Sequence, residues 1–176
     1  MTLSTRRFIS VILFAFLSGC LLAQQSKDLE GSAKPPRVIN IRFSLSSGMC
    51  YGYCFIELEV ERGVATLLDK SWSEDERKCP DIKVRADFSD KHWKEMTDLV
   101  DRKALLTLPE RIGCPGCTDS IVESVEVQFS DQTKKKTTYD WGHPPTEIKA
   151  LSKSLHDEEE KLSKELPPST VTRCGN

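Results

Sequence analysis

Alternation of apolar and polar side chains in two neighbouring segments constrains the fold of this chain most strongly. Residues 38–45 and 54–61 each place apolar side chains at every second position. A period of two is typical of a β-strand with one buried face. The predicted inward sets are Ile39, Ile41, Phe43 and Leu45, and then Ile56, Leu58 and Val60. Arg62-Gly63 predicts a turn and residues 64–68 a returning strand, so the second segment begins a hairpin.

Changes in apolar spacing predict three more strands and two helices. Ile82, Val84 and Ala86 continue the period of two, and Ser89 then caps a helix. Strands follow at residues 121–129 and 134–141, with Asp131-Gln132 as the turn between them. Pro144-Pro145 begins the second helix, because proline is tolerated in a first helical turn. The helical stripes are Trp93, Met96, Leu99 and Val100, and then Ile148, Leu151, Leu155 and Leu162.

The resulting order, β-β-β-β-α-β-β-α, predicts the α+β class. Short hairpins imply an antiparallel sheet of about six short strands, and two amphipathic helices need one face of that sheet to cover. We expect a single domain over residues 37–166, which is an ordinary domain size. An irregular tail is expected at residues 167–176.

The first residues have the composition of a secretory signal peptide. Arg6 and Arg7 form a basic region, residues 8–16 are nearly all apolar, and small residues precede Cys20. The apolar run is slightly shorter than the roughly 20 residues that cross a bilayer. We therefore expect residues 1–19 to be a signal peptide, with a transmembrane anchor as the less favoured alternative.

The segment Leu17-Ser18-Gly19-Cys20 resembles a bacterial lipobox. The resemblance implies that Cys20 is acylated with diglyceride and palmitate and that the chain is cut just before it. Cleavage near Ala23, which would release a soluble protein, is the alternative. In other lipoproteins, an aspartate directly after the lipidated cysteine signals retention in the inner membrane. Leu21 stands at that position here, so this resemblance favours the periplasmic side of the outer membrane. Residues 20–36 hold little apolar mass after Leu22 and predict a flexible tether.

The charge of the chain is mild. It is −2 overall, and removal of residues 1–19 leaves 23 basic against 27 acidic residues, a net charge of −4. Nucleic-acid binding normally needs a basic face, so a nucleic-acid partner is not expected.

Seven cysteines are present, and either cleavage removes Cys20 from pairing. The other six are Cys50, Cys54, Cys79, Cys114, Cys117 and Cys174. An even number in an oxidising compartment predicts three disulfides, for which sequence alone allows 15 pairings. Local pairing within each short loop is one solution, since Gly52 can bend the first loop and Pro115-Gly116 suits a type II turn. Cys79 would then pair with Cys174. Crossed pairing between the two loops stays open, because each loop precedes a strand.

The four loop cysteines also permit two chemical interpretations. Four thiolates at strand starts would form a zinc site, although the C-x-x-x-C spacing and an oxidising compartment argue against it. A redox-active C-x-x-C normally lies at a helix N-terminus, which lowers the thiol pKa, whereas Cys117 precedes a strand. No cofactor is predicted.

No catalytic residue is predicted, because G-x-S-x-G, H-E-x-x-H and phosphate-loop motifs are missing from the sequence. His92, His143 and His156 lack metal-ligand spacing. His92 and His156 are expected on the solvent sides of their helices.

Charged and aromatic clusters have plain structural interpretations. Residues 157–160 with Lys161 and Lys164 predict a solvated helical face with i,i+4 ion pairs, and residues 134–136 predict an exposed strand. Tyr51, Tyr53 and Trp141 either cover the ends of a small core or line a recognition patch.

The segment Cys50-Tyr51-Gly52-Tyr53-Cys54, with the strand it opens, resembles an uncharacterised family of bacterial secreted and lipid-anchored domains. The segment 113–119 and the strand, Lys-rich turn and Pro-Pro helix start after it are also similar to that family. Phe55 departs from the pattern, since proline often stands there. The resemblance covers roughly residues 38–163 and implies export but no activity. We therefore expect a lipid-anchored, non-enzymatic envelope module that binds a protein or glycan. The alternative is a thiol-redox or zinc protein using Cys50, Cys54, Cys114 and Cys117.

Overall fold

A computed structural model describes residues 34–48, 50, 52–71, 80–117 and 120–166. The chain divides between Pro35 and Pro36, and every element below belongs to the unit after that boundary. The strands are β1 (Val38–Ser47), β2 (Tyr53–Glu61), β3 (Gly63–Ser71), β4 (Ile82–Phe88), β5 (Ile121–Phe129) and β6 (Lys134–Asp140). The helices are α1 (Asp90–Asp98), α2 (Arg102–Thr107) and α3 (Lys149–Ser163), with a 3-10 turn at Thr146–Ile148 before α3.

The six strands form one antiparallel sheet in the order β4-β3-β2-β1-β5-β6. Successive strands β1 to β4 are neighbours, and the connection through α1 and α2 brings β5 beside β1 on the other side. The predicted α+β class and element order are confirmed. Within the described ranges, no helix is long and apolar enough to cross a membrane.

The helices differ in number from the prediction. Helix α2 was not predicted, because its six residues are too few to show a stripe; the Asp101 carboxylate caps it by accepting from the Ala104 N–H at 3.1 Å. Ser89 caps α1 as predicted, accepting from the His92 N–H at 3.2 Å. The α1 helix ends at Asp98, so Leu99 lies beyond the predicted stripe and is 37% exposed.

The core lies between one face of the sheet and the helices. The predicted stripe of α3 is confirmed, although the prolines precede a 3-10 turn and the α-helix begins at Lys149. The largest fully buried core side chains are Tyr139, Phe43, Phe129, Ile41, Leu58, Leu67, Leu105, Leu151, Leu155 and Leu162. Their alternation along each strand follows the period of two that the sequence displays.

Ile39 is the one clear departure from the predicted face of β1. The pairing of β1 with β5 shifts here, because Val38 lies opposite Phe129 and Asn40 opposite Gln128. This bulge leaves Ile39 without a partner on β5 and 39% exposed instead of inward. A bulge was not visible in the sequence, since it depends on which strand becomes the neighbour.

Candidate functional site

Two of the predicted cysteine pairs are disulfides. Cys50–Cys54 closes the loop that leads into β2, with Cα atoms 5.6 Å apart, and Cys114–Cys117 closes the loop before β5, at 5.5 Å. The local pairing of these four cysteines is therefore present, and the crossed pairing is not. Cys20, Cys79 and Cys174 lie outside the described residues. The lipidation site and the third disulfide stay predictions.

The Cys114–Cys117 loop has the predicted turn. The Cys117 N–H donates to the Cys114 carbonyl at 3.0 Å, and Gly116 has φ +81°. A positive φ at the third position is what a type II turn requires, and glycine adopts it without steric cost. Both cysteines are exposed, whereas Cys54 of the other disulfide is buried on the inner face of β2.

The zinc interpretation finds no support in this part of the chain. Both disulfides consume the thiols that a zinc site would need as thiolates. Over the ranges that the structure describes, no three His, Cys, Asp or Glu side chains form a group that could hold a metal ion.

A pocket of about 430 Å³ lies beside the Cys114–Cys117 disulfide. Its lining residues are Cys114, Cys117, Ser120, Ile121, Asp140, Trp141 and His143. Trp141 is 54% exposed, so it does not cover the end of the core as the first of its two interpretations expected. Tyr53 does not line this pocket and donates its hydroxyl to the Pro80 carbonyl at 2.8 Å, while Tyr51 lies outside the described residues.

A buried carboxylate, Glu123, is the centre of a polar cluster that the sequence analysis missed. Its side chain is inaccessible to solvent. Oε1 accepts hydrogen bonds from the Tyr139 and Ser152 hydroxyls, each at 2.6 Å, and Oε2 lies 3.2 Å from His156 Nε2. Ionised carboxylates are acceptor-only groups with room for several donors, so these contacts satisfy Glu123 within the core.

The fold brings the four residues together from three elements. Glu123 and Tyr139 are directly opposite on β5 and β6, and both point to the core. Ser152 and His156 are four residues apart, which places them on one face of α3. A sequence signal for the cluster did exist, because Glu123 occupies an inward position in the alternation of β5. Its partners depended on tertiary contacts that periodicity does not reveal.

His156 is the corrected member of this cluster. It was predicted to be solvated, yet its side chain is only 31% exposed and its ring makes an edge contact with Phe43, with centroids 4.7 Å apart. His92 is exposed, as predicted, and His143 lies at the disulfide pocket. The prediction failed for His156 because the apolar stripe of α3 is wide enough to include its position.

Electrostatics favour the charged form of this pair. Burial alone would raise the pKa of Glu123, but hydrogen bonds from His156, Ser152 and Tyr139 outweigh burial and lower that pKa. The hydrogen bond to Glu123 raises the pKa of His156 against the opposing effect of burial. Glu123, Tyr139 and Ser152 are almost inaccessible, so only His156 offers a surface to a solute. The arrangement therefore holds the His156–Glu123 ion pair at the margin of the core.

Asp69 on β3 is a second buried acid with a different environment. It is 8% exposed, and its Oδ1 has no hydrogen-bond partner. Burial, with smaller contributions from the charges of Glu159 and Asp81, raises its pKa to about 6. Unlike the environment of Glu123, the environment of this carboxyl therefore disfavours the ionised form.

The charged clusters lie where the sequence placed them. Residues 134–136 belong to β6, which is an edge strand, as expected of a lysine run that discourages edge pairing. On α3, Lys164 pairs with Glu160 at 2.9 Å in the predicted i,i+4 spacing. Lys161 instead pairs with Glu158 three residues away, at 2.8 Å, and the Glu158 side chain is only 12% exposed, so this part of the face is not solvated as predicted. Neither cluster lines the pocket beside the Cys114–Cys117 disulfide.

Comparison of the chain with known protein families, with characterised proteins and with solved structures finds no match. The resemblance to domains with a C-x-G-x-C strand opening therefore stays a prediction.

Proposed function

We propose that this chain is an exported lipoprotein of the cell envelope, anchored through an acylated Cys20, and that its domain is a non-enzymatic binding or structural module. The observation that carries the proposal is the pair of disulfides in the described domain. Disulfides form and persist in oxidising compartments and are rare in the cytosol. The basic, apolar and lipobox segments of residues 1–20 supply the matching export signal.

The proposed site of action is the periplasmic side of the outer membrane. Leu21 lacks the aspartate of an inner-membrane retention signal, and several acyl chains on one cysteine give stable anchoring. An envelope protein or a glycan is the proposed partner, and the mild net charge disfavours nucleic acid. The resemblance to secreted and lipid-anchored bacterial domains supports the same assignment.

Intact mass of the protein isolated from native membranes tests this proposal. We expect an N-terminal Cys20 carrying acyl chains, and no alkylation before reduction. A Cys20→Ser variant should lose the acyl mass and leave the membrane fraction, while Ser18→Ala, which keeps a small residue, should behave as wild type. An unmodified N-terminus in the wild type, or four alkylatable thiols, would contradict the proposal.

A thiol–disulfide exchange function is the second candidate, favoured by the exposure of Cys114 and Cys117 beside a pocket that contains Trp141 and His143. Equilibration in glutathione buffers, followed by alkylation and peptide mapping, would give the potential of this disulfide. A potential near about −200 mV would favour exchange, whereas structural disulfides fall below about −300 mV. Cys50–Cys54 serves as the internal reference.

A further inference from the structure

A pocket of about 450 Å³ lies at the end of the sheet where β1 begins. It is a different pocket from the one beside Cys114–Cys117, and its volume lies within the range of small-molecule sites. Pro36 and Arg37 form part of its wall. Residues 20–36 thus join the pocket directly to the proposed lipid anchor.

The floor of this pocket is apolar. Ile39 is held outward by the bulge in β1, and Trp93 and Val100 face the same space from α1 and the turn after it. Phe129 closes the bottom and is itself almost fully buried. Bulges commonly re-aim a side chain beside a functional site. Here the bulge supplies apolar surface that the regular alternation would have hidden.

The rim of the pocket is cationic, with three arginines and no acidic residue among its lining side chains. Arg62 uses Nε and Nη2 to bind Asp90, at 2.8 and 2.9 Å. Arg102 uses Nη2 to bind Asp131 at 2.7 Å and Thr133 at 3.2 Å. Each guanidinium carries five N–H donors, so both retain donors for a further acceptor.

Two of these arginines have N–H donors without a partner in the described ranges. The Arg102 Nε is buried and has no hydrogen-bond partner, while the guanidinium lies over the Phe129 ring at 4.7 Å and is thereby fixed in place. The Arg37 guanidinium makes no ion pair or side-chain hydrogen bond with any residue in the described ranges. A buried donor without a partner costs free energy unless a ligand satisfies it.

We propose that this pocket binds an anionic amphiphile, a carboxylate or phosphate head carried on an acyl chain. The head would lie between Arg37, Arg62 and Arg102, where planar guanidinium groups match the geometry of such oxyanions. The chain would lie over Ile39, Trp93 and Val100. The inference deepens the proposed binding role and rests on it, and the ligand class follows from a cationic rim above an apolar floor.

Trp93 provides the readout. The exported chain with Cys20→Ser, Trp72→Phe and Trp141→Phe keeps Trp93 as its only tryptophan, and cooperative unfolding checks its fold. Dihexanoyl phosphatidylglycerol should shift Trp93 emission saturably, whereas dihexanoyl phosphatidylcholine should not. Arg37→Gln should weaken phosphatidylglycerol binding roughly tenfold or more, the loss expected for one charge-assisted hydrogen bond. If the tryptophan variants unfold, calorimetric titration with the native tryptophans makes the same comparison.

Arg85→Gln is the matched control, because Arg85 is an exposed arginine on β4 outside the pocket. Equal binding of the two lipids, equal affinity of the Arg37→Gln and Arg85→Gln variants, or inorganic phosphate binding as tightly as the lipid would overturn the proposal. Sedimentation with phosphatidylglycerol vesicles tests for a bilayer lipid, and titration with decanoate tests for a free fatty acid. Binding of either ligand supports the proposal if the Arg37→Gln substitution weakens that binding. If the native chain is not acylated but binds the amphiphile, only the proposed lipid anchor is contradicted. If the chain is acylated but does not bind the amphiphile, only the proposed ligand site is contradicted.

Discussion

His156 on α3 lies against the buried carboxylate of Glu123 on β5, with Nε2 3.2 Å from Oε2. This contact joins helix α3 to the interior of the sheet through an ion pair with one fully inaccessible partner. The pKa of His156 is raised by its hydrogen bond to Glu123, and the pKa of Glu123 is lowered despite its burial. The pair therefore couples stability of the fold to pH.

The first prediction is a pH window for this coupling. A raised His156 pKa contributes stability that is fully present below about 6.5, the unfolded value, and is lost as pH rises through the folded value. A lowered Glu123 pKa contributes stability present above about 4.5 and lost as pH falls through its folded value. The free-energy difference between wild type and His156→Gln should therefore be largest near pH 5–6, and should fall by about 1 kcal/mol towards pH 8.5.

Urea unfolding at several pH values measures this difference. His92→Gln is the control, since His92 is exposed and on another helix. A difference between wild type and His156→Gln that stays constant from pH 5 to 8.5 would show that folding does not shift the pKa of His156.

The second prediction concerns Glu123 itself. Glu123→Ala leaves the Tyr139 and Ser152 hydroxyls without their acceptor, and it should lower the free energy of unfolding by about 3–5 kcal/mol. Glu123→Gln keeps an acceptor oxygen for both hydroxyls, so a loss of only about 1–2 kcal/mol is expected. Denaturant midpoints give both values, with exposed Glu147→Gln as the control within about 0.5 kcal/mol. Equal losses for the alanine and glutamine variants would mean that the hydroxyl contacts contribute nothing.

The periodicity of apolar residues was sufficient to predict the strands, but it was not sufficient to predict the polar cluster around Glu123. Side chains at every second position of a strand, such as Ile41 and Phe43, lie on the same face of the sheet because the backbone is pleated. The buried face of β1 was therefore predictable from local sequence. Glu123 and His156 are 33 residues apart, and their contact requires α3 to cross β5 at one position. No pattern in either segment contains that information.

The pocket at the start of β1 was unpredictable for a related reason. Ile39 reads as an inward residue by period, and only its pairing with β5 across a bulge exposes it. Arg37, Arg62 and Arg102 come from a segment before β1, a hairpin turn and a short helix. Their convergence follows from the sheet order, which sequence spacing did not specify.

The third prediction ranks the two disulfides by their reduction. Cys114 and Cys117 are exposed, whereas Cys54 is 5% exposed. Exposed disulfides have the more oxidising potentials, so Cys114–Cys117 should be reduced at a lower dithiothreitol concentration than Cys50–Cys54. Alkylation after graded reduction, followed by peptide mass mapping, measures the order. Simultaneous reduction at every concentration would show that the two loops open together through unfolding of the domain.

The fourth prediction uses Asp69, whose carboxyl is buried with one oxygen unpartnered. Because its pKa is raised to about 6, the folded state prefers the neutral acid. Its contribution is fully present below about pH 3.9 and is lost as pH rises through 6.

Asp69→Asn should therefore stabilise the protein at pH 8 by about 2–3 kcal/mol relative to wild type, and the gain should disappear near pH 4. Thermal or urea unfolding across this range measures the gain. Asp87→Asn, an exposed aspartate on β4, should show no such trend. A gain that is the same at pH 4 and pH 8 would show that folding does not raise the pKa of Asp69.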